Sequence, residues 1–245
     1  MIGAPELTAI GAGIGILYGA FGAGASAFAT PVLALAGVPA LLAVASPLPA
    51  TVPAALLGAW SHRRHGDVVG PLVRRSVAVG LPAALTGAAC SSFVPGSVLL
   101  VLSALVLLLA GIRLAWAAGP SAAPRTGGDA TIVAAVAAVG FAAGLLANSG
   151  GFLLIPVFVL IAGLRMRQAA ATSMTVAAVL TLPTLATHWW LGHVDWRVAG
   201  LFAIGLLPGT LAGATLGRRL PAEGIQRAFG GLLVAFGAWY LLQLS

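Results

Sequence analysis

The chain has no lysine, one cysteine and only five acidic residues among its 245. Each shortage excludes something. Charged residues make up 7% of the chain, against roughly 25% in a soluble domain, too few to cover the surface of a water-soluble protein of this length. The lone Cys90 lies in an apolar stretch, which rules out a disulfide within the chain and argues against a metal cluster. Glu6, Asp67, Asp129, Asp195 and Glu223 all fall in predicted loops or at predicted helix ends, so no carboxylate sits inside an apolar run. Proton-driven carriers usually place acids there. A membrane-embedded enzyme would need paired acids, a nucleophile or a metal cluster at depth. None is in evidence, so the reading is not an enzyme, and no cofactor or metal is implied. The formal charge of +7 comes from arginine alone. The arginines stand singly or in pairs between apolar segments, which is how membrane proteins fix their orientation, and nucleic acid is not an expected partner.

What the sequence does have is apolar length. Hydrophobic residues make up 60% of the chain, and the mean hydropathy is +1.07. The expected fold class is an all-α integral membrane protein. Met1 to Thr8 carries no basic residue ahead of the first apolar run and no obvious cleavage site follows, which argues against a cleaved signal peptide.

The chain also contains itself twice. Gly22 to Pro31 aligns with Ala147 to Pro156, prolines coinciding, at an offset of 125. Further along, Gly37 meets Gly163, Ser46 meets Ser173, His62 meets His188, Asp67 meets Asp195, Pro82 meets Pro208 and Gly87 meets Gly213, with offsets between 125 and 128. Such an ordered series indicates duplication. The expected organisation is a first membrane repeat over 1–117, a linker over 118–130 rich in Gly, Pro and Ser, and a second membrane repeat over 131–245.

In each repeat a long apolar run is broken by small residues, at Gly22-Ala-Gly24 and at Asn148-Ser-Gly-Gly151, and three helices follow, near 41–60, 76–92 and 97–116, then 169–187, 198–216 and 226–243. The broken run is either one long crossing or a hairpin of two short helices. Single crossings divide the arginines 7 to 5 between the two sides. Hairpins reverse the second repeat. They then collect Arg63, Arg64, Arg74, Arg75, Arg113, Arg125, Arg165, Arg167, Arg218, Arg219 and Arg227 on one side and leave only Arg197 on the other. The second division fits the positive-inside rule far better. The expectation is two inverted repeats, each an interrupted-helix hairpin plus three transmembrane helices, with both termini outside.

Paired interrupted segments at matching positions are the best sequence pointer to a transporter's binding site. Glycine permits a sharp reversal and close backbone approach, and the helix after each break starts with free N–H groups and a positive dipole end. Candidate substrate-binding residues are therefore Gly22, Gly24 and Ser26 in the first repeat and Asn148, Ser149, Gly150 and Gly151 in the second. The alternative is that these small residues only allow tight helix packing. Ser46, Thr172 and Ser173, at the start of the next helix in each repeat, line the same pocket or, for Ser46 ahead of Pro47, cap a helix. His62, His65, His188 and His193 read as interfacial, Asp67 and Asp195 as N-caps, and Trp189, Trp190 and Trp196 as an interfacial belt.

On these residues the chain resembles the sulfite exporter TauE/SafE family of membrane permeases. The matching pattern is Asn148-Ser-Gly-Gly-Phe-Leu-Leu-Ile-Pro156, then Ala169-Ala-Ala-Thr-Ser173, then Gly192-His-Val-Asp-Trp196, with a looser first-repeat version at Gly22-Ala-Gly-Ala-Ser26, Pro31 and Val44-Ala-Ser46. Ala23 and Ala25, and Asn148-Ser149, stand where the family commonly has glycine. The resemblance implies a bacterial inner-membrane permease that exports sulfite, a sulfonate or a related anion. Export of an anion could run on the membrane potential, worth about 2.3 kcal/mol per charge per 100 mV, roughly a fifty-fold gradient. The expected partners are a small anionic substrate and the lipid bilayer, with a homo-oligomer as an open alternative. The competing readings are a permease for another small anion and an accessory membrane subunit.

Overall fold

The computed structural model describes residues 2–21, 25–64, 66–116, 128–146, 150–219 and 221–244, and among them it is helical with no strand. The helices are α1 (Ala4–Phe21), α2 (Ala25–Leu35), α3 (Ala40–Ala45), α4 (Leu48–Arg63), α5 (Gly70–Cys90), α6 (Gly96–Trp116), α7 (Asp129–Leu145), α8 (Gly151–Pro156), α9 (Met166–Trp190), α10 (Trp196–Arg219) and α11 (Ala222–Leu244). A π-helical turn, Val157–Ile161, continues α8 beyond Pro156. Six helices or helix pairs among the described residues are long and apolar enough to cross a membrane; α7 and the α8 stretch are shorter apolar helices. The all-α membrane fold class is as the sequence indicates.

Several helices begin earlier than hydropathy suggests. The third predicted helix starts at Gly70 rather than near residue 76, taking Arg74 and Arg75 into its first turns. An arginine's long stem lets its charge reach the interface while its backbone stays helical, so the apolar boundary and the helix boundary need not coincide.

The two halves of the chain, read above as repeats, are built into each other. The first helix of one repeat packs against the third-to-cross helix of the other: α1 lies on α10, and α7 lies on α5. The α1–α10 contact is lined by glycine. A Cβ added at Gly11, Gly15 or Gly19 would overlap the backbone carbonyl of Phe202, Leu206 or Thr210 in turn, and one added at Gly205 or Gly213 would overlap that of Thr8 or Ile16. In the α5–α7 pair, Gly80 Cα lies 3.0 Å from the Cβ position of Gly140, and Ala84 blocks that of Gly144. Inside a bilayer, lipid tails compete equally for apolar surface, so helices gain from one another chiefly by close backbone approach.

The contact registers give directions. Along α1 the partners rise from Phe202 to Leu206 to Thr210, and along α7 they rise from Gly80 to Ala84, so both pairs run parallel. The last helices of the two repeats, α6 and α11, also pack together, but there Leu108 meets Gly237, Gly111 meets Leu233 and Ala115 meets Gly230. As one index rises the other falls, so that pair is antiparallel.

Backbone details repeat as well. Gly37 and Gly163, with φ of 88° and 70°, occupy the turn after the broken run; Gly66 and Gly192, with φ of 74° and 72°, occupy the turn before α5 and α10. Both pairs are 126 apart.

Candidate functional site

The structure sorts the sequence-predicted residues into three groups. Gly22, Gly24, Asn148 and Ser149, with His65, lie outside the described residues. Ser26 falls in the first turn of α2. Gly150 and Gly151 open α8: Gly150 is its N-cap with φ of 68°, and Gly151 is buried as its first residue. The Cβ position of Gly150 is 2.9 Å from Ala143 Cβ, and that of Gly151 is 3.3 Å from Ala177 Cβ. The second break is thus held between the end of α7 and the middle of α9, one turn beyond Ser173, where only glycine fits a left-handed turn closed in by a neighbouring side chain.

The third group joins the repeats. Ser46 is fully buried between α3 and α4, and its Oγ accepts the N–H of Asp195 at 2.9 Å. Thr172 is fully buried, and its Oγ1 accepts the N–H of Val69 at 3.1 Å. These are the same bond made twice, once from each repeat to the other. They pair Ser46 with Thr172, and Val69 with Asp195, at a constant offset of 126. The alignment of Ser46 with Ser173 and of Asp67 with Asp195 therefore shifts by one and two residues. Ser173 itself donates to the Ala170 carbonyl at 2.9 Å. Ser46 does not cap α4, because Pro47 occupies the N-cap and makes no side-chain bond.

Of the two predicted aspartate caps, one holds. Asp195 Oδ1 accepts from the N–H groups of Arg197 and Val198 at 2.9 and 3.1 Å, at the start of α10. Asp67 does not cap α5, which begins at Gly70 after Val69. Its Oδ2 lies 3.7 Å from Nδ1 of His62 instead. Trp189, Trp190 and Trp196 are exposed, as an interfacial belt requires.

The histidines have partners that the sequence did not show. His188, in the last turn of α9, is buried with 1% of its surface exposed. Its Nε2 lies 3.2 Å from the Gly144 carbonyl oxygen and its Nδ1 3.1 Å from Nδ1 of His193. A carbonyl only accepts, so Nε2 of His188 carries the proton. The neutral ring then accepts at Nδ1, and His193 donates from its own Nδ1. Burial lowers the pKa of His193 below the usual imidazole range, in keeping with that neutral state. At the constant offset, His188 and His193 correspond to His62 and Asp67. Each repeat therefore places a histidine at the end of one helix against a partner five residues on.

His62 and Asp67 line a cavity of about 320 Å³, together with Gly19, Ala20 and Phe21 at the end of α1, Met166, Arg167 and Ala170 at the start of α9, and Ala214 and Gly217 of α10. It opens beside Phe21, the last residue before the first break. A separate cavity of about 240 Å³ between the starts of α5 and α7 is lined by Arg75, Ser76 and Asp129, whose Arg75–Asp129 ion pair measures 2.8 Å. Of the described candidates, Ser46, Gly150, Gly151, Thr172 and Ser173 line neither cavity. The sequence signal for the first was the spacing itself: His62 and His188 share the interval of the paired turn glycines.

Comparison with known proteins adds a family. The profile of the sulfite exporter TauE/SafE family matches residues 7–240. A probable membrane transporter protein YdhB from Bacillus subtilis is 28% identical over 240 residues, 91% of this chain and 96% of that protein. A probable membrane transporter protein from Xylella fastidiosa is 33% identical over 100 residues, covering 40% of this chain and only 38% of the relative. No solved structure matches.

Proposed function

We propose that this chain, which belongs to the sulfite exporter TauE/SafE family, exports a small sulfur-containing anion such as sulfite or an organosulfonate across a bacterial inner membrane. That it is a multi-pass membrane transporter follows from the family and its helices. The observation that most favours a carrier of this kind is the antiparallel register of α6 and α11. Equivalent helices of two repeats run in opposite directions when the repeats are inverted, and in the same direction when each broken run is a single crossing. The register thus supports the hairpin reading, as the arginine distribution does.

In this reading Gly22, Gly24, Ser26, Asn148, Ser149, Gly150 and Gly151 hold the anion between the two hairpins by backbone N–H groups and short polar side chains. Irregular backbone at membrane depth is tolerated where it is buried in protein or lines a cavity. Ser46, Thr172 and Ser173 support that site from the adjoining helices. The membrane potential drives export without an intramembrane carboxylate.

The test is flux in proteoliposomes loaded with sulfite or a short sulfonate, with binding followed by thermal shift. The expected outcome is outward anion movement driven by an imposed potential, abolished by Asn148→Leu and by Ser149→Leu in protein that still purifies as a single species. Flux unaffected by either substitution would remove the hairpin site; no flux with any sulfur anion would remove the substrate class.

A further inference from the structure

The two histidine pairs occupy equivalent places in the two repeats but are in different states. His62 and Asp67 stand 3.7 Å apart on the wall of an open cavity, their side chains 15% and 27% exposed. His188 is sealed, bonded at both ring nitrogens, to Gly144 of α7 and to His193. The other residues follow suit. Arg167 and Ala170 line the open cavity; their equivalents at an offset of 126 are Leu41 and Val44, and Val44 belongs to a core cluster against which Leu185 and Val194 pack.

We infer that the cavity at His62, Asp67 and Arg167 is the substrate's vestibule on the arginine-rich side, and that the His188–His193–Gly144 unit is the latch closing the equivalent vestibule on the opposite side. This rests on the transporter reading above and adds the access path and its gate. The chemistry suits an anion. Arg167 places a permanent positive charge on the wall of this cavity, where the Asp67 carboxylate stands beside His62. On the closed side Leu41 stands at the position equivalent to Arg167, and the His188 N–H is donated to Gly144 while the His193 N–H is donated to His188. Opening that side requires His188 to give up the Gly144 carbonyl, which frees a ring N–H towards the path as the way opens. Because the repeats are equivalent, the movement that releases His188 is the one that brings His62 towards the end of α1, so the two vestibules alternate.

Thiol labelling reads this directly and needs neither substrate nor flux, so its outcome is independent of which anion is carried. In a Cys90→Ala background, Ala170→Cys and Val44→Cys are treated with a membrane-impermeant maleimide in right-side-out and inverted vesicles. Ala170→Cys is expected to react only from the arginine-rich face, and Val44→Cys from neither face. Adding His188→Ala is expected to expose Val44→Cys to the opposite face, its labelling rising roughly tenfold, the shift that accompanies loss of one buried hydrogen bond. His188→Gln, which keeps a donor where Nε2 stands, is expected to keep it closed. Retained labelling of Ala170→Cys in the His188→Ala protein reports that the fold survives. Equal labelling of Val44→Cys in the parent, or no rise in a His188→Ala protein whose Ala170→Cys still reacts from one face only, would overturn the latch.

Discussion

One methyl group separates two classes of glycine in α1. At Gly19 it would run into the Thr210 carbonyl oxygen and lie 2.6 Å from the Ala214 nitrogen; at Gly13 it would meet nothing within 4 Å. Gly19→Ala is therefore expected to lower stability by roughly 1–3 kcal/mol, the range for overpacking a tight contact. Gly13→Ala should be neutral or stabilising by about 0.5–1 kcal/mol through helix propensity. Unfolding in detergent would separate the two. His193 gives a pH dependence. Its pKa is lowered by burial, so the unfolded chain binds the proton more readily. Stability should fall as pH drops through about 6.5, the ordinary imidazole value. His193→Asn, which keeps a donor at the Nδ1 position, should show a smaller loss of melting temperature between neutral and mildly acidic buffer. The identity of these residues was plain in the sequence, but their state was not. Hydropathy places His188 at the end of an apolar run, and only the packed structure buries it there, with the Gly144 carbonyl at the end of α7 against its ring.

At the scale of elements, the bonds from Ser46 to Asp195 and from Thr172 to Val69 pin the helix starts of each repeat to the loops of the other. Ser46→Ala or Thr172→Ala leaves a backbone N–H without its partner, at a cost of about 1–3 kcal/mol each. The bonds share no residue, so the double variant should lose close to the sum when its unfolding is compared with the single variants. Asp195→Ala should cost about 1 kcal/mol by removing the cap of α10. The existence of every helix after the breaks was legible from apolar run length. The break between α3 and α4 was less so. Pro47 interrupts what the hydropathy shows as one stretch, because a proline cannot supply the N–H a continuous helix needs. The two-residue shift in the repeat alignment at Asp67 has a similar source. Both aspartates precede a helix, but only Asp195 faces the N–H groups of the first turn; Asp67 is drawn to His62.

For the whole molecule the consequence is interdependence. Since α1 packs on α10 and α7 on α5, neither repeat buries its glycine faces alone. Chains split within the 118–130 linker should each fail to give a stable monodisperse species, whereas co-expression of both pieces should restore one. Size-exclusion profiles would decide it. The proposed inverted arrangement makes a prediction for the termini: tags at both ends should be accessible from the same, arginine-poor face in intact cells, and tags on opposite faces would exclude the hairpin reading.

The sequence by itself determined the membrane class, the recurring residue interval, the placement of the arginines along the chain and the family pattern, because all of these are one-dimensional: composition, interval and order along the chain. What only the tertiary structure decided is which equivalent residues meet. Gly144 reaches His188, Asp195 reaches Ser46, Val69 reaches Thr172, and α6 meets α11 head to tail. These contacts join positions far apart in the chain, and an interior of near-identical small residues contains no local preference that could choose among them. Close backbone approach across the helix pairs makes that choice, and it does so only once both repeats are present.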